Sequence, residues 1–93
     1  MAILQSRVSV PPRVLFRDLG GEAVLLAMDA GLYYGLNESG TRMWLLLAEH
    51  GRADLAYQSL LAEYDAPAER LQADLLEFLD TLASRGLLHL HET

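Results

Sequence analysis

Residues 22–37, which read EAVLLAMDAGLYYGLN, constrain the fold of this chain more than any other stretch. They contain two short apolar runs separated by Asp29-Ala30-Gly31. Apolar runs joined by a tight turn that ends in glycine are typical of a β-hairpin. Because two strands alone are only marginally stable in water, this hairpin has to pack against other parts of the chain.

A third strand is expected immediately before the hairpin. Residues Arg13–Leu19 alternate in polarity, and Gly20-Gly21 ends the run as a flexible turn. Together with strands over Glu22–Met28 and Leu32–Leu36, this predicts a three-stranded antiparallel meander. Leu32–Leu36 is the last strand of that meander, so we expect it to leave one edge free for another chain.

The apolar spacing becomes helical after Asn37, which is a good N-cap residue. The pattern predicts three helices, over residues 38–49, from 53 or 54 to 64, and 68–85. Trp44 lies among leucines in the first helix and is expected to anchor the core. Leu87–His91 is expected to form a last short strand or a packed tail.

Strands followed by helices indicate an α+β fold, and the outline is similar to a winged helix-turn-helix. A length of 93 residues, of which 52% are hydrophobic, fits one domain over residues 1–93. The third helix is unusual because its apolar arc, which starts from Leu71 and Leu75, spans about 140° where a core-facing stripe needs about 100°. We therefore expect that helix to pack on two surfaces at once.

Composition excludes several classes of function. The net charge is −6, there is no lysine, and the seven arginines are scattered among acidic residues, which argues against nucleic-acid binding. The sequence contains no cysteine, so it has neither a disulfide nor a thiol nucleophile. No signal-peptide pattern and no run of about 20 apolar residues occurs, which predicts a cytoplasmic protein without a membrane partner.

Catalytic and metal-binding patterns are also weak. His89 and His91 share one face of a predicted strand, but no third ligand is evident, so we expect a surface pair, with no metal and no cofactor. The serines lack a neighbouring His-Asp arrangement, so we expect no serine nucleophile.

Three motifs in order resemble the PqqD-like family, also called RiPP recognition elements. The first motif is the hairpin from Leu26 to Asn37, with its Asp-x-Gly turn and tyrosine pair. The second is Gly40-Thr41-Arg42-Met43-Trp44, and the third is the run from Asp74 to Leu82 that ends in Gly86-Leu87. Within that family the chain is most similar to the free-standing leader-binding proteins of lasso peptide pathways. It lacks the Pro-Glu pair that is typical of the quinone-cofactor subgroup after the second strand, where residues 28–31 read MDAG.

The resemblance implies a non-catalytic adaptor that binds the leader of a ribosomally made precursor peptide by β-strand addition. It implies as a partner a leader peptidase, a cysteine protease of the transglutaminase type. The alternatives are a peptide chaperone of another pathway, such as pyrroloquinoline quinone synthesis, a winged-helix DNA-binding regulator, or a structural subunit.

The same resemblance places the leader beside the third strand, in a groove walled by the third helix. The predicted peptide-binding residues are Leu32, Tyr33, Tyr34, Gly35, Leu36, Leu71, Asp74, Leu75, Phe78 and Leu79. Three points stay open at this stage: which of the two tyrosines faces the groove, whether Phe78 belongs to the core, and whether Asp74 is simply solvated.

Overall fold

The computed structural model describes residues 1–91 of the chain. Its elements in order are β1 (Arg7–Ser9), β2 (Val14–Asp18), β3 (Ala23–Ala27), β4 (Leu32–Leu36), α1 (Glu38–His50), α2 (Ala53–Glu63), α3 (Ala68–Ser84) and β5 (His89–His91). The predicted α+β fold, with a three-stranded antiparallel sheet followed by three helices, is confirmed. The predicted bounds of Leu32–Leu36 agree with β4, and the other bounds differ by no more than two residues.

Strands β2, β3 and β4 form an antiparallel sheet with β3 at its centre. Leu25 of β3 lies opposite Phe16 on one side and Tyr34 on the other. Because side chains alternate along a strand, Leu25 and Leu36 face the helices and are buried, whereas Tyr33 faces outward. Within residues 1–91, no strand pairs with the second edge of β4.

Both ends of α1 are capped as the sequence predicts. The side chain of Asn37 accepts a hydrogen bond from the backbone N–H of Gly40 at 2.8 Å. At the other end, Gly51 has a φ of 69° and donates its N–H to the carbonyl of Leu47 at 2.8 Å. This left-handed conformation favours glycine because a Cβ atom would crowd the following carbonyl.

One hydrophobic core joins the sheet to all three helices. Trp44 is buried and stacks on Phe16, with ring centroids 6.5 Å apart and an angle of 5° between the planes. Its predicted role as a core anchor is confirmed. The fully buried leucines of the core are Leu25, Leu46, Leu47, Leu60, Leu75, Leu79 and Leu82.

The N-terminal segment forms a second, two-stranded sheet with the C-terminal strand. Val8 of β1 lies opposite Leu90 of β5, so the last short strand expected after the third helix is confirmed. The same segment is tied to the turn between α1 and α2: Val8 donates its N–H to Gly51 at 2.9 Å, and Ser6 accepts one from Ala53 at 3.0 Å. These bonds attach both ends of the described chain to the helices.

A two-pronged ion pair joins α1 to α2. Arg42 donates from Nε and from one terminal nitrogen to the two carboxylate oxygens of Glu63, each at 2.7 Å. These hydrogen bonds hold the pKa of Glu63 below its ordinary value, so the pair stays charged at neutral pH. Both side chains are partly exposed, and the contribution to stability is therefore small.

Two neighbouring leucines of α1 provide a test of the core. Leu47 is fully buried, whereas Leu45 is 39% exposed. We expect Leu47→Ala to lower the free energy of unfolding by about 2–5 kcal/mol, because it leaves a cavity, and Leu45→Ala to lower it by less than about 1 kcal/mol. Urea denaturation followed by circular dichroism measures both, and equal losses would contradict the assigned burial.

Candidate peptide-binding groove

A groove lies between the free edge of β4 and helix α3, and it consists of two clefts. The first, which we call the Asp74 cleft, has a volume of about 400 Å³. The second, the Arg85 cleft, has a volume of about 370 Å³. Tyr34 lines both clefts, so they are two halves of one groove.

The two clefts follow one another along β4. The Arg85 cleft lies beside the first half of the strand, with Leu32 and Tyr34, and the Asp74 cleft lies beside the second half, with Leu36. Helix α3 therefore runs in the opposite direction to β4. An extended segment laid along the strand edge would meet both clefts in turn.

At the Asp74 cleft, the first turn of α1 approaches the Phe78 ring of α3 closely. Gly40 has no side chain there, and a Cβ atom on it would lie 3.5 Å from the Phe78 ring and 3.2 Å from the Asn37 cap oxygen. Phe78 is half-buried, packs against the core and also lines the cleft. Phe78 therefore contributes to the core and also presents part of its ring to the groove.

Tyr34 is the tyrosine that faces the groove. It is half-buried on the helix-facing side of the sheet, and the guanidinium carbon of Arg85 lies 5.1 Å from the centre of its ring. Such a cation–π contact is worth about 0.5–1 kcal/mol at an exposed site. Tyr33, by contrast, is 76% exposed and lines the Arg85 cleft but not the Asp74 cleft.

The structure brings seven of the ten predicted site residues to the groove. Those in the Asp74 cleft are Tyr34, Gly35, Leu36, Asp74 and Phe78, and those that join Tyr34 in the Arg85 cleft are Leu32 and Tyr33.

It does not bring Leu71, Leu75 and Leu79 there. All three are buried, and Leu75 and Leu79 belong to the hydrophobic core. The reason is that the leucine stripe of α3 turns into the core and leaves the adjoining, more polar stripe beside β4.

Several lining residues were not among the predicted ones. On α3 and just after it these are Glu77, Thr81, Ser84, Arg85 and Leu87, and around the start of α1 they are Asn37, Ser39, Gly40 and Met43. For most residues of the first group, the spacing along the sequence indicates that they share a helix face with Asp74. Counted from Asp74, the helical spacing of three and four residues leads through Glu77 and Phe78 to Thr81 and Arg85, which share one face. The second group depends on how α1 packs, which local spacing does not reveal.

The chemistry of the groove is that of recognition. An unpaired strand edge offers backbone N–H and C=O groups to an extended chain, and the clefts beside it can receive side chains. Among the residues that the structure describes, no three His, Asp or Glu side chains cluster closely enough to bind a metal ion. None of the helices within residues 1–91 has the length and apolar character needed to cross a membrane.

Comparison with known proteins gives both sequence and structural matches. The family described as Coenzyme PQQ synthesis protein D (PqqD) matches residues 22–88, well over half of the chain. The solved structure "TbiB1 in Complex with the TbiA(beta) Leader Peptide" is 32% identical, covers 90% of this chain and 98% of its own, and superposes with a TM-score of 0.83. No curated protein sequence gives a significant match.

A second solved structure, "Lasso peptide synthetase B1 complexed with the leader peptide", shares the fold. Its TM-score is 0.80 at 19% identity, and the match covers 89% of this chain and 98% of that one.

Two glycines at the groove differ in the space around them. A Cβ atom on Gly40 meets three atoms within 3.6 Å, whereas one on Gly35 meets nothing within 4 Å. We expect Gly40→Val to destabilise the fold by about 1–3 kcal/mol through overpacking against the cap and Phe78. Gly35→Val should leave stability unchanged or slightly raised, since valine favours strands. Thermal unfolding of both variants measures the difference, and a stable Gly40→Val protein would show that the approach of α1 to α3 is not tight.

Proposed function

This chain belongs to the PqqD family, and from that premise we propose that it binds the leader segment of a ribosomally made precursor peptide. The leader would be of the lasso peptide type and would add as a strand to the free edge of β4. One observation carries the proposal: an open groove lies between that edge and α3. The 32% identical relative, which covers nearly the whole chain, is itself a complex with a leader peptide.

In strand addition, the backbone and the side chains make different contributions to binding. Pairing with the five residues of β4 supplies affinity that does not depend on the guest sequence. Guest side chains alternate, so every second one points toward the two clefts. Tyr34, Phe78 and the core residues beneath them form an apolar floor, and it is this floor that would select apolar guest residues.

We further propose that residues 1–93 act as one non-catalytic adaptor, in the cytoplasm where the precursor is made. The groove holds only a short stretch of leader, about five residues along β4, so the remainder of the precursor stays outside it. A leader peptidase, a cysteine protease of the transglutaminase type, would then act on the part that is left accessible.

Two alternatives fit less well. A peptide chaperone of another pathway, such as quinone cofactor synthesis, would use the same groove with a different leader, and the family match includes that class. A DNA-binding regulator is disfavoured by the net charge of −6 and by Asp74 and Glu77 in the groove.

The direct test is a titration with a fluorescein-labelled synthetic leader from the precursor gene beside this one. We expect a dissociation constant of tens of micromolar or lower. Phe78→Ala should weaken the affinity for the leader by at least about tenfold, because that change removes an apolar wall of the Asp74 cleft. Fluorescence anisotropy measures both affinities.

Phe16→Ala is the matched control. Phe16 is also half-buried, but it stacks on Trp44 away from the groove. At a temperature where all three proteins are folded by circular dichroism, this variant should bind the leader as the wild type does. Absence of binding by the wild-type protein would refute the proposed function. If leader affinity fell equally in both variants, Phe78 would act through the stability of the core and not through contact with the leader.

A proline scan of the leader tests strand addition itself. Proline lacks the backbone N–H and removes one ladder hydrogen bond wherever that group pairs with β4. We expect affinity to fall at alternate positions within a segment of about five residues and to be unchanged outside it. A flat profile across the leader would show that the guest does not pair with the strand edge.

A further inference from the structure

The two clefts of the groove carry opposite charges. Among the lining residues that the structure describes, the charged side chains of the Asp74 cleft are Asp74 and Glu77, and that of the Arg85 cleft is Arg85. Leu36 lies at the acidic end of β4, and Leu32 lies at the basic end. The groove is therefore electrically polar along the strand direction.

These charges are largely available to a guest. The contact between Asp74 and Arg70 is 4.0 Å long and joins two mostly exposed side chains, so it neutralises little. Within residues 1–91, Glu77 and Arg85 take part in no ion pair. Arg85 lies instead over the ring of Tyr34, and a guanidinium stacked on a ring can still donate from its edge to a carboxylate in a two-pronged contact.

The separation of Glu77 and Arg85 matches about four residues of a strand, because they lie eight residues apart along α3 and its C-cap, which is about 12 Å at about 1.5 Å per residue. Side chains on one face of a strand recur every second residue, about 7 Å apart. The Asp74 cleft lies beside Gly35, Leu36 and Asn37, and Arg85 lies over Tyr34. Guest side chains that point toward α3 would thus reach the two charged regions at positions about four residues apart.

We propose that the groove selects a leader segment with a cationic side chain beside Asp74 and Glu77 and a carboxylate beside Arg85, about four residues apart. This inference rests on the proposed leader-binding function and adds the determinant of register and direction. A slip of one residue turns both guest charges away from the clefts. Reversing the guest strand places like charges against each other, which disfavours the wrong direction.

The test uses charge-reversed variants and the same fluorescein-labelled leader. Glu77→Lys and Arg85→Glu should each weaken binding by about fivefold or more, with the larger part of the change lost as salt rises from about 50 to about 500 mM. The matched controls are Glu69→Lys, at the start of α3, and Arg17→Glu, on β2; both residues are exposed, and neither lines a cleft. They should bind within about twofold of the wild type.

Rescue by the guest makes the test specific. A leader in which the cation is replaced by glutamate should bind Glu77→Lys better than it binds the wild type, and a leader with its carboxylate replaced by lysine should do the same for Arg85→Glu. Wild-type binding that neither reversal changes, or a bound leader without the charge pair, would overturn this inference and leave the leader-binding function intact. Failure of the wild-type protein to bind the leader would overturn the function itself.

Discussion

The position of α3 relative to β4 is the constraint on which the rest of the site depends. Leu75, Leu79 and Leu82 are fully buried, so the helix is fixed to the core by one continuous apolar stripe. Helix α3 packs against α2 and beside β5, and the edge of β4 is left unpaired. A groove results because the helix stands beside the sheet edge without closing on it.

Most of the fold was predictable because its signals are local. The Asp-Ala-Gly turn, the Asn37 cap and the glycine after α1 each specify a boundary within a few residues of sequence. The pairing of β1 with β5 was not predictable in this way, since the two strands are separated by nearly the whole chain and each is only three residues long. Neither strand carries a pattern that identifies its partner.

The candidate site was predictable in outline and less so in detail. A free last strand followed by a helix with an over-wide apolar arc pointed to β4 and α3, the two elements that line the groove. The arc could not show which part of it faces the core, because about 140° of apolar surface exceeds what one contact needs. Packing assigns the centre of the arc, with Leu75 and Leu79, to the core and the margin, with Asp74 and Phe78, to the groove. The contact of Arg85 with Tyr34 joins residues far apart in sequence and has no local signature.

The position of α3 beside the free edge of β4 also bears on self-association. An exposed strand edge invites a second folded sheet to pair with it, and natural proteins protect such edges with charge or cover. Here a lone extended segment fits between the helix and β4, but the edge of another intact sheet would bring its own flanking helix against α3. The position of α3 therefore favours a single flexible segment over the edge of a second folded sheet as the partner of β4.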